Sequence, residues 1–221
     1  MTGDRSGAQG PTIGLVDYGM GNRRSAEKAL ERVGARVALT ADHDRLAAAD
    51  GLVVPGVGAF AAAMDRLRAA GLDDLVIERA RAGVPVLGLC LGLQRLFERS
   101  AELGGGDGLG LLAGDVRPLA PDPPALKVPH IGWNVVRFTR PSALTEGLGD
   151  AAAFYHVHSF AAEPADESDV LGRGDYGGPF VSVVARDNVF GVQFHPEKSS
   201  AAGLRLLRNF AAVCARVGAR A

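Results

Sequence analysis

The chain has two cysteines in 221 residues, and they are far apart in sequence. That is too few for a disulfide framework, and neither sits in a metal-type Cys-x-x-Cys pair. There is almost no net charge, −1 at neutral pH, which removes the electrostatic case for nucleic acid or an anionic membrane as partner. No apolar run reaches membrane-spanning length, and the residues before Ile13 are polar, with no apolar centre of signal-peptide length. No internal repeat and no domain boundary shows. What is present is ordinary globular composition, 47% hydrophobic and 22% charged, enough for one large domain with a substantial core. The expectation is a cytoplasmic protein with residues 1–11 as a disordered tail and 12–221 as a single domain.

The order of elements points to an α/β fold. Apolar runs at 13–16, 37–39, 52–54 and 84–89 read as short buried strands. Helical patterns fall between them at 22–33, 61–70 and 72–82, with Gly34 and Gly71 as terminators. This alternation is what a parallel, doubly wound sheet produces. After Gly104-Gly105-Gly106 the texture changes. Five prolines between Pro118 and Pro129 allow only a loop or an edge, and 135–138, 153–160, 181–185 and 189–194 read as antiparallel strands. A last helix over 199–217 opens at Ser199 or Ser200, and its apolar stripe holds Cys214 as a packing residue.

Two segments carry chemistry. In Val86-Leu87-Gly88-Leu89-Cys90-Leu91-Gly92-Leu93-Gln94 an apolar strand runs into a cysteine with a glycine two residues to each side, and a helix-forming segment, 93–99, follows. That is the thiol form of a nucleophile elbow, a strand–turn–helix too tight for a Cβ at either glycine. It sets the sulfur at a helix N-terminus, where unpaired N–H groups favour thiolate. The bland alternative is a buried cysteine at a strand end. Far downstream stands Gly191-Val192-Gln193-Phe194-His195-Pro196-Glu197. Pro196 keeps His195 out of the helical region, so an extended triplet turns His195 and Glu197 to one side, a base with its orienting partner. A lone His-Pro-Glu reads as a polar turn; beside the cysteine elbow it reads as catalytic. His156 and His158 share a strand face, but no third ligand cluster accompanies them, and no metal is expected.

Gly88–Gln94 with Phe194–Glu197 resembles the class I (triad) glutamine amidotransferases. Four further segments, Asp17–Asn22, Pro55–Phe60, Pro129–Asn134 and His156–Phe160, are similar to the glutaminase subunits of imidazole glycerol phosphate synthase. The likeness runs from about Ile13 to about Phe210. It implies a central, mostly parallel sheet flanked by helices, with an added antiparallel part in the C-terminal half. It implies hydrolysis of L-glutamine, with Cys90 as nucleophile, His195 as proton shuttle and Glu197 orienting it. The amides of Val57 and Leu91 would form the oxyanion hole; Gly56, Gly58, Gln94, His158, Ser159 and Phe160 would bind substrate. Asn22, Trp133, Tyr155 and Lys198 would face the partner, a separate cyclase subunit that forms a heterodimer and receives the ammonia. No cofactor is implied. Another triad glutaminase, such as that serving pyridoxal phosphate synthesis, is disfavoured by Pro129–Asn134. A non-catalytic binding subunit is disfavoured by an intact Cys90, His195 and Glu197.

Overall fold

The computed structural model describes residues 10–122 and 126–218. Most of the expected tail, and residues 123–125 of the proline-rich segment, lie outside them. Six α-helices and thirteen strands occur among the described residues. The first half contains β1 (Thr12–Val16), α1 (Arg23–Arg32), β2 (Arg36–Thr40), α2 (His43–Ala47), β3 (Gly51–Val54), α3 (Phe60–Ala69), α4 (Leu72–Arg81), β4 (Val86–Leu89), α5 (Leu91–Arg95), β5 (Phe97–Ser100) and β6 (Gly106–Asp107). The second contains β7 (Leu112–Pro118), β8 (His130–Phe138), β9 (Ala151–His158), β10 (Phe160–Pro164), β11 (Val170–Asp175), β12 (Pro179–Arg186), β13 (Val189–Val192) and α6 (Ser200–Gly218).

The strands form one mixed sheet. β2-β1-β3-β4-β13 run parallel, and from β13 the sheet continues antiparallel through β12 and β10 to β7. The hairpin of β8 and β9 joins through β11. β3 and β4 are buried at every residue, because helices cover both faces, which is why they read as unbroken apolar runs. One face packs Ala26, Ala29 and Leu30 of α1 and Leu206, Leu207, Phe210 and Cys214 of α6 against Ile13, Leu15, Val53 and Leu87. The other packs Phe60, Met64 and Leu67 of α3 and Leu72, Val76 and Ala80 of α4 against Val16, Leu52, Val54 and Val86. Cys214 is the packing residue expected; burial pushes its thiol up to about 12, far from a reactive range.

Several elements depart from the expectation: β6, β7 and β11 were not expected, β8 starts at His130 rather than 135, and three further departures have a plain physical cause. The helix expected over 93–99 is one turn, Leu91–Arg95, and Phe97–Ser100 is a strand. The Leu96 carbonyl accepts from the N–H groups of Leu111 and Leu112, each at 2.9 Å, and Phe97 pairs with Leu112 of β7. Sheet pairing there overrides the helical preference of Leu-Phe-Glu-Arg. The strand expected over 153–160 breaks at Ser159 into β9 and β10, which pair with different neighbours. The short α2 was not expected; Asp42 caps it, its carboxylate accepting from the Arg45 N–H at 2.9 Å.

Candidate active site

Cys90 sits between β4 and α5 with φ 53° and ψ −109°, a region few residues with a side chain enter. Its N–H donates to the Val192 carbonyl at 2.8 Å, tying the elbow to β13. The flanking glycines are required by contact. A Cβ on Gly92 would lie 1.9 Å from the Val54 carbonyl oxygen, and one on Gly88 would lie 2.5 Å from that of Gly92. Gly92→Ala is therefore expected to destabilise the fold by about 2–3 kcal/mol, measured by urea unfolding; unchanged stability would show that α5 can move off β3. Because α5 has only five residues, its macrodipole is small, and anion stabilisation falls to its free first-turn N–H groups, that of Leu91 among them.

His195 and Glu197 meet, by a different route from the extended triplet expected. His195 is extended, but Pro196 opens a 3-10 turn over Pro196–Lys198. That turn swings Glu197 back so that His195 Nδ1 donates to Oε1 at 3.1 Å, with both side chains buried. Ser199, expected as a helix cap, spends its hydroxyl elsewhere. It donates to the His195 carbonyl at 2.7 Å and accepts from the Tyr155 N–H at 3.0 Å, fastening the turn to β9. Burial by itself lowers the basicity of His195, but hydrogen bonds to Cys90 and Glu197 outweigh it and push the imidazole up to about 9. A charged imidazolium at neutral pH stands between a sulfur and a carboxylate.

Behind the sulfur lies a polar relay that was not expected from sequence. The fully buried Gln193 donates from Nε2 to Cys90 Sγ at 3.7 Å. Its Oε1 accepts from Gln94 Nε2 at 3.0 Å, and Gln94 Nε2 also donates to the Phe160 carbonyl at 3.1 Å. Both amide hydrogens of Gln94 are thus committed, leaving its oxygen as the group it can offer a ligand. The only early sign of Gln193 was its place two residues before His195, which in a strand means the same face.

A cleft of about 280 Å³ opens over Cys90, walled by Val57, Gly58, Leu91, Gln94, Val157–Phe160 and His195, a volume suited to a small metabolite. Glu102 also lines it and was missed from sequence; one carboxylate oxygen accepts from the Phe60 N–H at 2.6 Å. Gly56 lies behind the cleft wall, against Arg95 and Leu91. A larger open groove of about 760 Å³ along residues 138–150 is lined by no cysteine or histidine.

His158 lines the cleft, and both nitrogens of its ring are engaged within the protein. Its Nδ1 donates to the Phe160 carbonyl at 2.9 Å, its Nε2 accepts from His130 Nδ1 at 2.9 Å, and His130 in turn accepts from Asn134 at 3.4 Å. His156 Nε2 pairs with the Ser182 hydroxyl at 2.9 Å. Burial holds His156 down to about 3 and His158 down to about 4, so both are neutral. Among the described residues, no group of His, Cys, Asp or Glu is arranged to hold a metal ion. Of the four residues expected to face a partner, Trp133 is 55% exposed and sits opposite Tyr155 across β8 and β9, with ring centres 6.2 Å apart. Lys198 is exposed, and Asn22 donates to Glu197 Oε1 at 3.4 Å.

The structure thus brings a cysteine on a strained elbow and the imidazole of a buried imidazole–carboxylate pair to one cleft of a doubly wound sheet. The model of the glutamine amidotransferase class-I family matches residues 14–214, and the chain belongs to that family. Within it, the chain belongs with the HisH subunits of imidazole glycerol phosphate synthase. It is 50% identical over 206 residues to the HisH protein from Moorella thermoacetica, covering 93% of this chain and 97% of the relative. It is 47% identical over 206 residues to that from Caulobacter vibrioides, covering 90% and 97%. Two solved structures share the fold. One is a glutamine amidotransferase at TM-score 0.72 and 22% identity, covering 92% of this chain and 98% of that one. The other is PurLQS from Thermotoga maritima at 0.71 and 19%, covering 91% and 97%.

Proposed function

We propose that Cys90, His195 and Glu197 carry out the glutaminase reaction of an imidazole glycerol phosphate synthase in histidine biosynthesis, releasing ammonia from L-glutamine for a separate cyclase subunit in a heterodimer. The observation that carries this reading is the buried His195–Glu197 pair at 3.1 Å beside a cysteine held at φ 53°. Cys90 attacks the side-chain amide carbon as thiolate, with Gln193 donating to the sulfur. The oxyanion that forms is held by the N–H groups of Leu91 and Val57. The His195 imidazolium gives its proton to the departing ammonia as the C–N bond breaks, leaving a thioester. His195, now neutral, takes a proton from water, which attacks the thioester; glutamate leaves and the thiolate returns. Glu197 holds the imidazole and balances its charge. Glu102 offers its carboxylate to the α-ammonium group of glutamine, and the main chain of His158, Ser159 and Phe160, with Gly58 and the Gln94 oxygen, lines the rest of the amino acid. Gly56 is proposed to act indirectly, by allowing the loop its close approach. The outer face of β8 and β9 around Trp133 and Tyr155, with Asn22 and Lys198 near the triad, is the proposed cyclase-facing side. Residues 12–221 are read as one domain. A cytoplasmic location goes with this reading, since reducing conditions keep Cys90 a thiol.

The pH dependence follows from His195. Its raised value means that the imidazolium is present below about 9 and is lost as the pH rises through it. Without that proton the ammonia leaves poorly, so kcat/KM is expected to fall on the alkaline side of about 9. Glu197→Gln, which removes one of the groups favouring the charged form, moves that limb to lower pH. A kcat/KM profile flat through pH 10 in both proteins contradicts the assignment.

The partner is expected to switch the site on. Val57 is 39% exposed at the tip of a loop whose Gly58 has φ +94°, a backbone able to reorient at small cost. If the Val57 N–H reaches the oxyanion position only in the complex, glutamine hydrolysis by the free chain is slower by roughly 100- to 1,000-fold. The assay compares the chain alone, with the cyclase, and with cyclase and ribonucleotide. Equal rates in all three refute the switch; no hydrolysis in any refutes the function.

A further inference from the structure

Arg95 is the largest fully buried side chain among the described residues. Its Nε donates to the Leu91 carbonyl at 3.3 Å, and its Nη2 donates to the Tyr18 hydroxyl at 2.7 Å and to the Pro55 carbonyl. The guanidinium carbon lies 4.5 Å from the centre of the Tyr18 ring. Nη1 is buried with no hydrogen-bond partner, and among the described residues no carboxylate pairs with the group. Tyr18 is no counter-ion. Its burial, stronger than the opposing effect of Arg95, pushes the phenol up and keeps it neutral, and its hydroxyl donates to Pro55 at 2.6 Å.

Burial lowers the basicity of the Arg95 guanidinium, with Tyr18 and Cys90 opposing it, but a guanidinium starts so far above neutrality that it keeps its charge, and an uncompensated buried cation weakens the folded state. An apolar side chain of similar length would fill the space without that penalty. The location of the charge is what makes sense of it. A Cβ on Gly56 would lie 2.6 Å from Arg95 Nη2 and 2.8 Å from the Leu91 Cβ. The guanidinium therefore touches the back of both backbone segments that carry the proposed oxyanion donors, Pro55–Val57 and the start of α5.

We infer that Arg95 is a positioning residue for the reaction: it clamps the Pro55–Val57 loop to α5, and its charge is balanced when an anion forms at Cys90 and the oxyanion donors. The inference rests on the glutaminase reading. In a water-excluded interior a fixed cation acts on a nearby developing anion far more strongly than in water, and here it does so through contacts already made in the resting protein.

The experiment compares wild type, Arg95→Met and Arg95→Lys as complexes with the cyclase. Arg95→Met is expected to lower kcat by about 10- to 100-fold, less than losing a direct oxyanion donor, with KM for glutamine within about threefold, because the substrate does not touch residue 95. Its thermal midpoint is expected to change little, because relief of a buried unpaired charge offsets the lost hydrogen bonds to Leu91, Tyr18 and Pro55. Arg95→Lys keeps the charge at low pH but can lose its proton when buried. Its kcat is expected to approach wild type near pH 6.5 and fall well before the wild-type alkaline limb. Arg95→Gln, uncharged and still a donor, replaces Arg95→Met if the latter does not fold. Iodoacetamide alkylation of Cys90 at pH 7, expected to be several-fold slower without the charge, reads the same effect without glutamine. Slowed alkylation in a protein whose wild type hydrolyses no glutamine would sink the glutaminase reading and leave Arg95 standing. An uncharged variant with kcat and alkylation rate within twofold of wild type overturns the inference, as does Arg95→Lys as slow as the uncharged variant at every pH.

Discussion

Cys90→Ser is expected to lower glutamine-dependent turnover by on the order of 10,000-fold or more, while the same complex still works with free ammonium. A serine hydroxyl in this cleft has no thiolate to offer, and because Cys90 is itself one of the two groups that hold His195 charged, the variant loses the sulfur–imidazolium pair together with the nucleophile. Gln193, which donates to sulfur at 3.7 Å, would also lose its acceptor anion. The ammonium-dependent rate survives because the cyclase chemistry lies outside this cleft. Cys214→Ser serves as the control. That thiol is fully buried on α6, and its replacement is expected to leave kcat unchanged. Equal loss of both activities in Cys90→Ser would point to misfolding, and a dead Cys214→Ser would show that the wrong cysteine had been chosen.

His195→Ala is expected to slow glutamine hydrolysis on the order of 10,000-fold, and Glu197→Gln by at least tenfold less. The difference follows from what each group does. The imidazole moves a proton in both halves of the reaction, and no other titratable side chain among the described residues lines the cleft beside the sulfur except the neutral His158 and the carboxylate Glu102. Glu197 moves none. A glutamine there can still accept from His195 Nδ1 through its oxygen, so the ring keeps its orientation and loses the charge that favours the imidazolium. Steady-state rates of the two variants, each with the cyclase, decide the order. Glu197→Gln slower than His195→Ala would reverse the roles.

The sequence made the parallel half of the fold legible because its strands are buried on both faces and its helices end at glycines: β3 and β4 are apolar throughout, and Gly34 and Gly71 take positive φ. It failed at 91–118, where Phe97 to Ser100 falls in a segment of helical composition and is held as strand by pairing with residues from 106 onward. Nothing local announces such a pairing. The elbow at Cys90 was legible from spacing, since strand–turn–helix geometry leaves its two glycines little alternative, and so was the meeting of His195 with Glu197. The turn that carries Glu197 was misread as extended, because Pro196 constrains the residue before it and opens a 3-10 turn after it. Glu102, Gln193 and Arg95 were invisible because their meaning is burial and direction. Arg95 in particular falls in a segment that reads as an ordinary charged helix surface, and the fold places it wholly inside.

The most direct test of the central claim is covalent trapping with an electrophilic analogue of glutamine, such as a diazoketone, followed by peptide mass spectrometry of the complex. The account predicts one adduct per chain, on Cys90, formed more slowly when excess glutamine competes and absent in Cys90→Ser. An adduct on Cys214, or modification of Cys90 that glutamine does not slow, would contradict it.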